Sequence, residues 1–448
     1  MATLTYMQLL RGNRSFRRLW AGQVVSELGN WFDFIAALGL VRSVAGGAPE
    51  ATAWLIVLRL APFAIFAPFA GALVDRWPRR AVMLFADLAR VVVVLGYLLV
   101  RRPEDLWIAY VCSVASSLLG ALFEAGKNSA TPNIVGDSGL LAGNALMFSS
   151  RFLLMAIGAA LGGAVSARFG YKAAFVIDSL SFLVSAYSVW LIPGREMKHA
   201  SRDEARSELP EKTDKRERLR VLQDIREGWS YIARHPLVAT IIGVNILWAT
   251  GGGAGNLVYD RLGSVVFAGQ GSADANIAVF FFAVGAGLFI GMMFARRVGV
   301  HVELRGMTVG FIGWTLIAHG LFFALAGLMP KLWLSALMLF MSRMVIGVEF
   351  AIQETLIMRL LPDNLRGRVF TTDRAAEIFV MSISAIVAGW ALHLISPRSL
   401  TVISGLLSAT PGVMWLALFA SGRLRLPAKA HQGAEAKPAE EALLASTG

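Results

Sequence analysis

Residues 51–100 read ATAWLIVLRLAPFAIFAPFAGALVDRWPRRAVMLFADLARVVVVLGYLLV. Two apolar runs, each close to the roughly 20 residues an α-helix needs to cross bilayer hydrocarbon, flank the charged segment Asp75-Arg76-Trp77-Pro78-Arg79-Arg80. Charges of that density belong in water, and Pro78 lacks the N–H that a continuing helix would use. The stretch therefore reads as two membrane helices joined by a tight polar turn.

The same alternation continues outward in both directions. Mostly apolar windows of about 18 residues or more begin near Leu19, Ala53, Val82, Leu106, Leu140, Ala173, Leu237, Ala275, Met307, Leu332, Val369 and Leu400. Twelve spans are predicted, the last (Leu400 to Ser421) being the shortest. Composition agrees: 56% of the 448 residues are apolar and 16% charged, against roughly 25% charged in a soluble domain. A disordered chain is excluded by that apolar content, and a disulfide scaffold by Cys112 being the only cysteine. No short apolar core with a small-residue cleavage site follows the basic start, so no cleaved signal peptide is expected.

A net charge of +12 would suit nucleic acid only if it gathered on one solvated face. Here the basic residues lie between apolar runs, and no nucleic-acid partner is expected. Lys and Arg favour the cytoplasmic side of a membrane. With the predicted spans, one set of loops holds only Arg42, Arg101, Arg102, Arg168, Lys172, Arg261, Lys331 and Arg398, and Arg59, Arg90, Arg151, Arg343 and Arg374 fall inside spans. The rest of the 42 basic residues sit at the N-terminus, in the even-to-odd loops and in the tail. The expectation is a monomer in the bilayer of the cell's inner (plasma) membrane, multi-pass, with both termini cytoplasmic.

Between Arg195 and Glu227 the chain is dense in charges of both signs around Pro210, which marks a solvated linker. Four parts follow: a six-helix bundle over 1–193, a cytoplasmic linker over 194–236, a second six-helix bundle over 237–421, and a disordered cytoplasmic tail over 422–448. Within the linker, Leu219, Leu222, Ile225, Trp229 and Ile232 share helical spacing and predict an amphipathic helix on the membrane surface. The halves echo each other faintly, since Glu124 before Pro132 recurs as Glu354 before Pro362. The predicted fold is an all-α membrane protein, two six-helix bundles around a central cavity, the geometry of a transporter.

The segment Gly71-Ala72-Leu73-Val74-Asp75-Arg76-Trp77-Pro78-Arg79-Arg80 resembles the signature loop of the major facilitator superfamily. In mechanical terms Gly71 would let two helices approach closely, and Asp75 could accept hydrogen bonds from a helix N-terminus or an arginine across the interface between halves. Gly71, Asp75, Arg76, Arg79 and Arg80 are the expected gating motif. The second half keeps Gly291 and Arg296 but has Ala295 where the aspartate would stand. Ser26 to Trp31, Ile225 to Trp229 and Pro362 to Val369 are similar to the macrolide-efflux and enterobactin-exporter branch of that superfamily. This resemblance implies an exporter of amphipathic or siderophore-like molecules driven by proton entry. Gly158, Gly162 and Gly163 lack the proline of the antiporter pattern in helix 5, and they fit close helix packing.

Ionisable groups inside a membrane need a partner, a wet cavity or neutralisation. Ser26, Asn30 and Asp33 follow helical spacing in span 1 with Glu27 beside them, a polar stripe expected to face the cavity. Asp33 and, second, Glu27 are the expected proton-coupling acids; the alternative is a fixed structural pair with Arg59. Trp31 and Phe34 flank the stripe, and with Arg59, Asn245, Trp248 and Glu349 they complete the expected substrate cavity, suited to a cationic or amphipathic molecule. Asp87, Arg90, Glu124, Glu354, Arg366, Arg368, Asp373 and Arg374 are expected to pair near the inner ends of the spans, with Glu377 in the same cluster. Asp178 has no evident partner, and Gly251-Gly252-Gly253 marks either a hinge or a close packing contact.

No catalytic motif appears, and the six histidines are too dispersed for a metal site. Neither an enzyme nor a cofactor is expected. The leading reading is a secondary active exporter of an amphipathic small molecule coupled to a proton or other ion. Uptake or lysophospholipid-type lipid movement on the same fold is the alternative, and a non-transporting receptor or scaffold is the reading from another class.

Overall fold

Several helices start where the sequence supplies a stop or a cap. Asn13 accepts the Phe16 N–H at 2.8 Å, Ser396 the Ser399 N–H at 3.1 Å, and Pro49, Pro236 and Pro397 occupy first turns, where no N–H is needed. The computed structural model describes residues 5–197 and 229–423, and no strand occurs among them. Twelve helices are long and apolar enough to cross a membrane: spans 1 to 6 are Arg14–Val44, Pro49–Gly71, Arg79–Leu99, Pro103–Gly136, Ser138–Phe169 and Tyr171–Trp190. Spans 7 to 12 are Pro236–Val266, Ala273–Leu304, Thr308–Leu328, Leu332–Leu360, Val369–Ala391 and Pro397–Ala420. Every span falls on a predicted window.

Two breaks shape the helices. Spans 4 and 5 would be one rod were it not for Gly136, whose φ of 66° is reached at little cost only without a Cβ. Span 7 is helical to Gly252, loosens over residues 253–254, resumes at Gly255 and ends in a π-turn over Leu262–Val266.

Within the first half, span 1 packs on spans 5 and 6, span 2 on span 4, and span 3 on spans 4 and 6. Raising each number by six gives the neighbours of the second half: 7 on 11 and 12, 8 on 10, and 9 on 10 and 12. The repeat that was faint in sequence is therefore complete in packing, with two six-helix bundles. Lipid tails give helices no hydrophobic reason to associate, so backbone proximity has to hold them. Spans 9 and 12 meet through Gly320, Gly405 and Gly412, where an added Cβ would collide with the opposite backbone, and through Gly313, where it would collide with the Leu416 side chain.

The bundles touch along span 5 against span 8 and span 2 against span 11. An even number of spans returns the chain to its starting side, so both described ends share one face, the terminal face; the loops after odd-numbered spans form the far face. Trp229 and Ile232 of the predicted linker helix lie in a short helical turn, with Ile232 buried on the second bundle. Leu219, Leu222 and Ile225 lie outside the described residues, as does the chain after residue 423.

Candidate functional site

A set of polar contacts joins the bundles at the far face. Arg42, at the end of span 1, holds Asp260 of span 7 and Asp274 of span 8 with separate guanidinium nitrogens. The neighbouring Arg261 donates to Gly47 O at 2.7 Å, Ala48 O at 3.2 Å and Thr52 Oγ1 at 3.3 Å. Glu50 meets His393 at 3.0 Å across the same face. Below this latch an aromatic cluster bridges the halves: Phe281 of span 8 lies 5.9 Å from Trp31 and 5.5 Å from Phe34 of span 1, and 5.4 Å from Tyr259 of span 7. Gly163 against Ala278 and Gly285 against Ala156 close the remaining gap between spans 5 and 8.

The polar stripe of span 1 does not face a cavity as a unit. Gly22 and Gly29 let span 1 press on Ser185, Ser188, Asp178 and Ser181 of span 6, and that face carries Ser26 and Asp33 into the bundle. Asp33, 2% exposed, is paired with Arg59, which also donates to Asn30 O at 3.1 Å and stacks 5.2 Å over Phe34. The fixed-pair alternative for Asp33 describes its place. Asp178, unassigned from sequence, accepts the Ser181 hydroxyl at 3.1 Å, and its Oδ2 has no hydrogen-bond partner among the described residues.

Glu27 occupies a different setting. It lies 3.9 Å from Arg151 in a 30 Å³ cavity, room for about one water, lined also by Trp20, Gln23, Glu124, Lys127 and Ser150. Arg151 keeps 62% of its side chain exposed although it lies inside span 5. Glu124 binds Lys127 at 2.7 Å, so two acids and two bases from spans 1, 4 and 5 line one small pocket.

The remaining predicted charges pair locally. Asp87 and Arg90 are buried together at 2.6 Å, with Arg90 over the rings of Phe123 and Phe182. Arg374 holds Glu377 at 2.7 Å, and Asp373 accepts the Asn245 amide at 2.9 Å. Glu354 is half-buried. Glu349 is buried with Oε1 unpartnered. Trp248 donates to His319 Nε2 at 3.1 Å, while Ser342 Oγ lies 2.8 Å from Nδ1 and donates to His319 O at 2.9 Å. An Nε2 that accepts requires the Nδ1–H tautomer, so His319 is neutral and satisfied.

In the gating loop, Arg79 donates to Ser129 O at 2.8 Å and Met197 O at 3.3 Å, and Arg80 to Trp190 O, which ties the turn to spans 4 and 6 of its own bundle. Arg76 is exposed at the helix end. The side chains of Asp75, Arg366 and Arg368 lie outside the description. Gly71 was expected at a close helix contact, yet no described atom would come within 4 Å of a Cβ there. Its counterpart Gly291 does the packing, against Met344 and Gly347 of span 10. Gly251 and Gly253 press on spans 12 and 11, which accounts for their size, and the helix loosens immediately after Gly252.

Sequence reasoning missed the latch and the C-terminal aromatic wall of Tyr259, Phe281 and Phe323. A signal existed: Arg42 and Arg261 belong to the few basic residues on the charge-poor side, and Arg261 directly follows the acid Asp260. Among the described residues no group of His, Cys, Asp and Glu could hold a metal.

Known proteins agree with this architecture. Macrolide efflux protein A of Streptococcus pyogenes is 20% identical over 398 residues, 88% of this chain and 93% of its own length. The protein named putative bacilysin exporter BacE, of Bacillus subtilis, is 24% identical over 389 residues, covering 85% of this chain and 88% of its own length. Among solved structures, the nucleoside transporter NupG superposes with a TM-score of 0.67 at 13% identity, over 90% of this chain and 99% of its own. The sequence pattern of the Major Facilitator Superfamily matches residues 19–371. With that match over more than three-quarters of the length and the six-plus-six packing of its spans, the chain belongs to the Major Facilitator Superfamily.

Proposed function

We propose that this transporter is a proton-coupled exporter that moves an amphipathic small molecule out of the cell by alternating access, with both termini in the cytoplasm. One observation carries the reading: the far-face latch of Arg42, Asp260, Asp274 and Arg261 holds the bundles together, while the acid-bearing pocket of Glu27 and Glu124 lies toward the opposite end of span 1. Breaking one set of contacts while making another is what exchanges the open face. The efflux names of the relatives support the outward direction, and the crowding of basic residues at the terminal face supports its placement in the cytoplasm.

Coupling is assigned to Glu27 ahead of Asp33. A carboxyl group carries protons only if water can reach it in some state, and Glu27 shares a pocket with exposed Arg151, whereas Asp33 is sealed against Arg59. A proton on Glu27 would release Arg151, and its loss would restore the pair. The Asp33–Arg59 pair then keeps span 1 in register with span 2.

Proteoliposomes loaded in turn with cationic and anionic amphipathic probes, ethidium, erythromycin and dansylglycine, and given an inward proton gradient test the reading. Gradient-driven extrusion is expected, with Glu27→Gln losing gradient response but keeping substrate exchange. Inward accumulation, or flux indifferent to the gradient, refutes proton-coupled export. Gradient-driven flux retained in Glu27→Gln removes that residue from coupling.

A further inference from the structure

Arg343 of span 10 is a buried cation without a counter-ion. Its relative exposure is 7%, and no carboxylate lies within ion-pair distance among the described residues. One guanidinium nitrogen donates to the Tyr259 hydroxyl, and Nε has no partner. The group lies 5.4 Å from the Phe323 ring centre and 6.0 Å from that of Tyr259.

The contrast with the first bundle gives this meaning. Arg59 and Arg343 flank the aromatic cluster that joins the halves, one beside Phe34 and the other beside Tyr259. Arg59 is neutralised by Asp33, so among the described residues Arg343 is the one guanidinium at the cluster without a carboxylate partner. An unpaired charge at this depth is costly. Its unused N–H donors fit a planar oxyanion, and the rings beside it offer cover for an apolar body. Span 7 loosens at residues 253–254 beside this group, and Gly255 brings its backbone so close that a Cβ would stand 3.6 Å from the guanidinium.

We infer that Arg343 is the anion subsite of the transported molecule, which carries a carboxylate or equivalent oxyanion on an aromatic or aliphatic body. This rests on the transport reading and reverses the cationic preference expected from the acids of span 1, because Asp33 is already paired. The closed far face keeps the subsite shut in this conformation, and rearrangement of span 7 at its break would expose it.

Equilibrium binding tests the subsite independently of gradient-driven flux, so a failure of proton coupling leaves the result readable. The full-length protein in phosphatidylcholine nanodiscs is titrated with dansylglycine, its methyl ester and tetraphenylphosphonium. The carboxylate is expected to bind about tenfold or more tighter than the ester. Arg343→Gln should erase that preference and leave the ester unchanged, Arg343→Lys should keep part of it, and Tyr259→Phe, which retains the ring, should keep most. Equal binding of acid and ester by the parent protein overturns the inference, as does a preference that survives in Arg343→Gln. So does competitive loss of dansylglycine binding when phosphatidylglycerol replaces a third of the lipid, which would assign Arg343 to a lipid headgroup.

Discussion

Removing Arg42 should spring the far face open. Asp260 is fully enclosed and Asp274 nearly so, and the Arg42 side chain is only 11% exposed. In Arg42→Ala, Asp260 keeps Arg261 at 3.4 Å and Asp274 keeps no ion pair. Breaking a buried pair by deleting one partner costs about 3–5 kcal/mol, and here the cost falls on the closed state, since opening returns both carboxylates to water. At about 1.4 kcal/mol per tenfold, the closed-to-open ratio drops by roughly a hundredfold to a few thousandfold. Thr52 reports it: it is wholly buried beneath the latch and takes a hydrogen bond from Arg261. In a Cys112→Ser background, Thr52→Cys should react with a membrane-impermeant maleimide on the order of a hundred times faster once Arg42→Ala is added, with Arg42→Lys in between. A labelling rate within about twofold of the parent, at equal membrane insertion, would mean the latch does not govern opening.

Other substitutions test separate parts of the molecule. Asp33→Asn strands Arg59 inside the first bundle and should lower thermal stability by about 3–5 kcal/mol; adding Arg59→Met should recover most of it, and an unchanged melting temperature for the single variant would place Asp33 outside the core. Gly405→Val drives a side chain into the Ala324 backbone of span 9 and should abolish folding or cost several kcal/mol, read by size-exclusion chromatography after extraction. Gly71→Ala should leave melting unchanged because its Cβ meets open space, whereas Gly291→Ala should lower it through contact with Met344. His319→Phe, which removes the acceptor for Trp248 and the partner of Ser342, should destabilise by about 1–3 kcal/mol without moving the pH profile of transport; a shifted profile would give His319 a proton role.

Legibility followed the range of the forces involved. Twelve spans could be read because each is set by its own twenty or so residues against the hydrocarbon, and helix starts such as Asn13, Pro49 and Ser396 are local chemistry. Asp87 with Arg90, a side-chain pair three residues apart, was equally readable from helical spacing, whereas Arg374 and Glu377 were legible only as members of one inner-side cluster. Asp33 was not: spacing puts it on a stripe with Glu27, but two glycines on the same span decide which part of that stripe is pressed into span 6 and which meets the small pocket beside Arg151.

The chain's composition, periodicity and charge asymmetry alone determined that it is a twelve-span membrane protein of two halves, because those are properties of short segments partitioning between oil and water. Which charges find each other was decided only by the packed bundles. Arg42 reaches Asp260 and Asp274 more than two hundred residues away, and Arg343 meets the Tyr259 hydroxyl but, among the described residues, no carboxylate. In a medium that cannot solvate an ion, the fate of each charge depends on what the fold brings within a few ångströms of it, and no local pattern carries that distance.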